Sequence, residues 1–221
     1  LINDMSDILL PLFPSFVMVS ELVLDNRDQE TMSHLIDNLE FIKTSSAEAT
    51  DFTNDNIDEN NASTASSISQ DVYLLDKPEL AIIRNKLAGK VNEYIDHLKY
   101  EGSFDFSTSW LTLSKPGEES HYHSHNNAIF TGVYYLRTAR NCGKISFCKF
   151  EGTTWGIRKK EANTYNSTTW KIPPSTNKLV IFPSQLPHKI NLNRSKEPRI
   201  SLAFNVVPLG QIGSGDSSLQ L

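Results

Sequence analysis

Apolar positions repeat with a helical period in the first part of the chain and with a strand period in the second. Leu12 to Leu24 carries β-branched and aromatic residues broken by Pro14, which predicts an extended opening segment. Asp25 or Asn26 can cap a following helix, because a short polar side chain there accepts from an otherwise orphaned N–H. Met32, Leu35, Ile36 and Leu39 fall on one face of that helix. Thr44 to Gln70 is Ser, Thr, Asn, Asp and Glu with almost no apolar anchor, so it predicts a long loop or a partly disordered stretch, read first as a mobile connection and second as a surface insertion or a lid. Helical spacing returns after the start signals Asp76 and Pro78. Leu80, Ile83, Leu87, Val91, Ile95 and Leu98 form one stripe, which Gly102 ends. His34 and His97 lie in these helices and read as half-exposed residues, not ligands.

Beyond Gly102 the period shortens. Trp110–Ser114, Ile129–Arg137, Lys144–Cys148, Leu179–Phe182 and Arg199–Val207 read as strands, separated by Gly, Pro and Asn clusters. Many short strands predict a sandwich, a jelly roll or a small barrel. Residues from Leu209 onward are polar and Gly-rich, which predicts a flexible tail. The 221 residues are read as one domain: a strand and helical support over 1–100, a β core over 101–208 and the tail over 209–221.

Composition narrows the function classes. The formal net charge is -5 and no long basic block occurs, so a surface that tracks nucleic-acid phosphates is not expected. The run Arg158, Lys159, Lys160 reads as a solvated loop. Cys142 and Cys148 are too few for a disulfide framework or a thiolate zinc site. No stretch approaches the roughly 20 apolar residues of a membrane helix, and Leu9 to Val19 lacks the basic flank of a signal peptide. The expected setting is reducing and cytoplasmic.

The chemistry is concentrated in the β half. In His121-Tyr122-His123-Ser124-His125 an extended backbone turns all three imidazoles to one side. Two imidazoles at i, i+2 can hold one transition-metal ion. The apolar run Leu179–Phe182 stops at Pro183 and turns into His188, a candidate third ligand from a distant strand. Arg199 opens the last strand, and a guanidinium inside a β core needs an anionic partner. A small dicarboxylate would serve through bidentate hydrogen bonds; otherwise Arg199 pairs with an internal Asp or Glu, or faces out.

These residues resemble the iron(II)- and 2-oxoglutarate-dependent oxygenases, most closely a small branch found in marine bacteria and their phages. The likeness rests on Trp110–Gly117, His123-Ser-His125, Thr131-Gly-Val-Tyr-Tyr-Leu136, Gly143–Phe147, Leu179–His188 and Arg199-Ile-Ser-Leu-Ala-Phe-Asn205. It implies a mainly β fold, with a double-stranded β-helix (jelly-roll or cupin-like) core and N-terminal flanking α-helices. It implies His123, His125 and His188 as ligands of Fe(II), and Arg199 with Ser201 and Tyr135 on the remote carboxylate of 2-oxoglutarate. Tyr134 would face the other way, and His121 would stand at the entrance. The implied reaction couples O2 and decarboxylation of 2-oxoglutarate to hydroxylation of a primary substrate that the sequence does not name. A homodimer is admitted; a membrane partner is not expected.

One position departs from the pattern. The usual triad is two His and one carboxylate, and His125 stands where many relatives carry Asp. Glu118 and Glu119 are near but poorly spaced. Two other readings therefore stand beside the first: a three-His cupin-type iron dioxygenase that does not use 2-oxoglutarate, and a non-catalytic jelly-roll protein with a structural metal. Trp110, Asn127 and Trp155 are candidate cavity residues.

Overall fold

A computed structural model describes residues 12–44, 65–149 and 156–221. Strand β1 (Met18–Glu21) is followed by helix α1 (Asn26–Asn38), β2 (Phe41–Lys43) and β3 (Ser67–Ser69). Two short 3-10 turns lead into α2 (Ala81–Leu98). Then come β4 (Ser103–Ser114), β5 (Phe130–Arg137), β6 (Ile145–Cys148), β7 (Thr169–Ile172), β8 (Lys178–Pro183), β9 (His188–Ile190) and β10 (Arg199–Leu209). A terminal hairpin pairs β11 (Gln211–Ile212) with β12 (Leu219–Gln220).

The strands form a larger sheet, in order β1-β8-β5-β10-β4-β3-β2, and a smaller one, β7-β6-β9. The core is mainly β and antiparallel, a jelly roll with the helices covering one face of the larger sheet. Alternation along each strand divides two apolar clusters. Phe130, Tyr134, Leu179, Ile181, Ile200, Leu202 and Phe204 pack with Ile83, Leu87, Val91 and Ile95 of α2. Val133, Tyr135, Val180, Phe182 and Ala203 face the smaller sheet, with Ile145, Phe147 and Ile172. β8 is covered on both faces, which is why Leu179–Phe182 reads as a continuous apolar run and not as an alternating one.

Local signals explain the helices. The Asp25 side chain accepts from the Asp28 N–H at 3.0 Å and starts α1. Lys86 of α2 bonds both Asp25 and the buried Asp28, tying the two helices together. α2 ends at Lys99, which takes the left-handed conformation at φ 61°. His34 and His97 are exposed on these helices, away from the β core.

Two expectations are revised. Within the polar stretch 44–70, Ser67–Ser69 forms β3 and pairs with both β2 and β4. Small serines suit that place: Ser69 is fully buried, and its Oγ donates to the Asp71 carbonyl and accepts from the Leu111 N–H. Residues 45–64, the rest of the expected loop, lie outside the described residues. The tail 209–221 forms the β11–β12 hairpin, closed by reciprocal bonds between Gly210 and Leu221 at 2.9 and 3.0 Å.

Gly132 in β5 shows how tightly the larger sheet is packed. A Cβ there would lie 2.0 Å from Cζ of Phe204, whose ring is fully buried and edge-on to Phe106. Gly132→Ala should therefore destabilise the fold by roughly 1–3 kcal/mol, read as a drop in thermal midpoint. Adding Phe204→Leu should recover part of that loss, and strict additivity of the two substitutions would contradict the packing account.

Candidate metal centre and carboxylate pocket

The smaller sheet and the segment before β5 are joined by main-chain bonds: Ser120 N–H donates to the Ile190 carbonyl at 3.0 Å, and a reciprocal pair lies beyond it. His123 N–H donates to the His188 carbonyl and His188 N–H to the His123 carbonyl, both at 2.9 Å. His125 N–H donates to the Ser184 carbonyl at 2.9 Å. Histidines far apart in sequence are thus held side by side by main chain. Their ligand nitrogens all lie within 4.8 Å of one another, an arrangement that could hold a metal ion. Ring centroids are 4.4 Å apart for His123–His188 and 5.2 Å for His125–His188.

Hydrogen bonds select the tautomer. Nδ1 of His123 lies 2.9 Å from the His121 carbonyl, and Nδ1 of His188 lies 2.9 Å from the Leu186 carbonyl. A carbonyl only accepts, so each Nδ1 carries the proton and each Nε2 keeps its lone pair free for a metal. The neutral state is favoured as well. Burial, and then the His123 ring, push His188 down to about 3 and His125 to about 4. His123 is the most open of the three, and desolvation of its ring still lowers it.

The cluster opens into a cavity of about 340 Å³ between the sheets. Its walls are largely apolar, with Trp110, Val133, Ile190 and Ala203, and the Trp110 ring sits 5.7 Å from that of His125. Thr131 reaches the same cavity and is fixed from behind. Its hydroxyl donates to Asn205 Oδ1 at 2.8 Å and so must accept from Ser184 at 2.9 Å.

Arg199 and Tyr135 continue the inner face of β10 and β5 beyond the cavity residues Ser201 and Ala203. β10 slips register against β5 between Ile200 and Ser201, which sets Ser201 opposite Tyr135. Arg199 is 1% exposed. Its Nη1 donates to the Cys142 carbonyl at 3.0 Å, while Nε and Nη2 have no partner among the described residues. The Tyr135 hydroxyl is buried without a partner too. Burial lowers Arg199 and pushes Tyr135 up to about 12. Tyr135 therefore stays a neutral O–H donor beside a guanidinium, which does not deprotonate in proteins. Gly143 is needed behind them: φ is +90°, and a Cβ there would meet the Asn191 carbonyl at 2.1 Å and Arg199 Nη1 at 3.1 Å. These orphaned donors fit a carboxylate, and the three imidazoles fit a divalent transition metal.

The remaining expectations divide. Tyr134 and Tyr135 do face opposite clusters. His121 lines the cavity but is outside the three-His cluster, and Trp110 lines it as expected. Asn127 is not among the lining residues; it is exposed in a turn at φ 55°. Trp155 lies outside the described residues. Neither nearby glutamate joins the cluster. Glu118 is buried, paired with Lys43 and accepting from the Lys115 N–H, and Glu119 faces Lys189 at 3.5 Å. The carbonyl support of Arg199 by Cys142 has no sequence signal, because any residue supplies a carbonyl.

No curated protein matches the chain. Solved structures do. An oxidoreductase of the 2OG-Fe(II) oxygenase family from Burkholderia pseudomallei has 12% identity and a TM-score of 0.57, covering 88% of this chain and 84% of that one. HygX from Streptomyces hygroscopicus, solved with nickel, 2-oxoglutarate and hygromycin B, has 9% identity and a TM-score of 0.56, covering 88% and 83%. A prolyl-4-hydroxylase from Pseudomonas putida has 14% identity and a TM-score of 0.55, covering 86% and 91%. Identities this low establish the shared fold. A family model described as "Putative 2OG-Fe(II) oxygenase" matches residues 108–205, a span that holds all three clustered histidines, Tyr135, Arg199 and Ser201. Over that span the chain is similar to the 2OG-Fe(II) oxygenases, whose description names iron(II) as metal and 2-oxoglutarate as cosubstrate.

Proposed function

We propose that this protein couples oxidative decarboxylation of 2-oxoglutarate to hydroxylation of a primary substrate. His123, His125 and His188 hold the iron, and Arg199, with Tyr135 and Ser201, takes the distal carboxylate of 2-oxoglutarate. One observation carries this reading: the two unpartnered guanidinium nitrogens of Arg199 beside the unpartnered Tyr135 hydroxyl. A buried charge left so is costly, and one carboxylate would satisfy all three donors. When bound, iron(II) and 2-oxoglutarate would supply the oxidising chemistry together with O2, one oxygen atom going to the product and the other to succinate, with carbon dioxide released.

The chain's own residues supply placement. The Nδ1–H bonds of His123 and His188 aim both Nε2 atoms without a further proton loss. Ser201, 4% exposed, lies between Arg199 and the cavity, and the Trp110 ring gives the wall an apolar surface beside His125. Two free thiols, Cys142 and Cys148, suit a reducing, cytoplasmic setting. A second reading, the three-His cupin-type dioxygenase, draws on the absence of a carboxylate among the clustered ligands.

Arg199 separates the two readings. Anaerobic Fe(II) with 2-oxoglutarate should give a visible charge-transfer band, and air should then yield succinate. Arg199→Ala should raise the KM for 2-oxoglutarate roughly a hundredfold or more. If the variant keeps full metal-dependent oxygen uptake and the wild type forms no succinate, the cupin-type reading replaces this one.

The depressed histidines give a pH prediction. Three ordinary imidazoles, with pKa near 6.5, would lose about a thousandfold in metal affinity between pH 7.5 and 5.5. Here the folded-state values lie below the unfolded one, so the sites stay neutral and the affinity should fall by about tenfold or less. Cobalt(II) titrations at the two pH values test this. The apo protein should meanwhile lose stability as pH falls below about 6.5, since the unfolded chain takes up protons that the folded one refuses.

A further inference from the structure

The charges around the proposed centre do not cancel. Three neutral imidazoles bring no negative charge to a divalent ion, and Arg199 adds a second cationic group on the same inner face. A dianionic 2-oxoglutarate leaves one positive charge over. A carboxylate in place of His125 would have removed it.

Nothing nearby among the described residues supplies the missing negative charge. Glu118 is committed to Lys43 and to the Lys115 N–H. Glu119, the acidic residue in the cavity wall, faces Lys189 at 3.5 Å. Lys189 also lies over the ring of the cavity residue Tyr122, at 5.5 Å from its centroid. The rest of the wall offers hydroxyls, imidazole and apolar surface. Much of the wall is apolar, so an unbalanced charge there is screened less than in bulk water.

We infer that the cavity takes a primary substrate carrying one negative charge, a small carboxylate or an equivalent monoanion, placed beside the three-His centre. His125 is then the specificity-determining residue: as a neutral ligand it leaves the charge that selects an anion. The inference rests on the metal and cosubstrate assignment proposed above. It favours acids over neutral molecules of the same shape and disfavours cationic substrates.

The test uses the full chain loaded with cobalt(II) and 2-oxoglutarate without oxygen. The visible cobalt spectrum is read while sodium acetate or neutral acetamide is added at constant ionic strength. Acetate should perturb the spectrum saturably, and acetamide should bind at least about tenfold more weakly. His125→Asp, which restores a carboxylate ligand, should weaken acetate about tenfold while cobalt and 2-oxoglutarate still bind. Equal responses to acetate and acetamide in the wild type overturn the inference, whether or not the variant folds. So does an acetate affinity unchanged in a variant that still binds cobalt. If the wild type binds no cobalt, or its spectrum ignores 2-oxoglutarate, the underlying assignment falls and this inference with it.

Discussion

The reciprocal backbone pair between His123 and His188 holds the centre together. Two hydrogen bonds of 2.9 Å join the segment before β5 to the start of β9. β9 pairs in turn with β6, so the smaller sheet is anchored to the histidine segment at the place where a ligand is needed. Because the contact is made by main chain, the side chains are left free for chemistry. Their own Nδ1–H bonds go to local carbonyls, which orients the rings without using a distant residue. The same fixation keeps the imidazoles desolvated and therefore neutral.

The larger sheet solves a different problem. Its two faces serve two layers, and adjacent residues in one strand are assigned to different tasks. Tyr134 bonds the Leu22 carbonyl at 2.8 Å on the helical side, while Tyr135 is buried without a partner on the inner side. Ile200 and Leu202 pack under α2, while Arg199 and Ser201 face inward. A one-residue slip of β10 would exchange these roles, so the apolar packing against α2 fixes the register that the pocket needs.

Much of this was legible in the sequence where the signal is local. The α2 stripe and the apolar run of β8 follow from short-range patterning; the cap was narrowed to Asp25 or Asn26, and the opposite facing of Tyr134 and Tyr135 came from the family resemblance. β3 was missed because its serines look like loop; both are buried, and Ser69 is held there by its hydroxyl bonds and not by apolar bulk. β7 was missed because three of its four residues are exposed. The His123–His188 pairing is invisible for another reason: no local pattern records which distant backbone groups meet. His188 was found only because an apolar strand ended beside it, and Arg199 because a cation in a β core demands an explanation. The fates of Glu118 and Glu119 depend on Lys43 and Lys189, which no spacing rule brings together.

The unpartnered donors connect stability with function. Arg199 Nε and Nη2 and the Tyr135 hydroxyl are desolvated in the folded protein without full return in hydrogen bonds. Such groups typically cost about 1–3 kcal/mol each, more when charged. The fold tolerates this because Phe182, Phe147 and Val180 pack around the same interior and the Cys142 carbonyl holds one edge of the guanidinium. A ligand that satisfies those donors binds the folded state alone and stabilises it by mass action. Stability and occupancy are thus linked at one place: a counter-ion that reached Arg199 and Tyr135 would stabilise the fold that presents them.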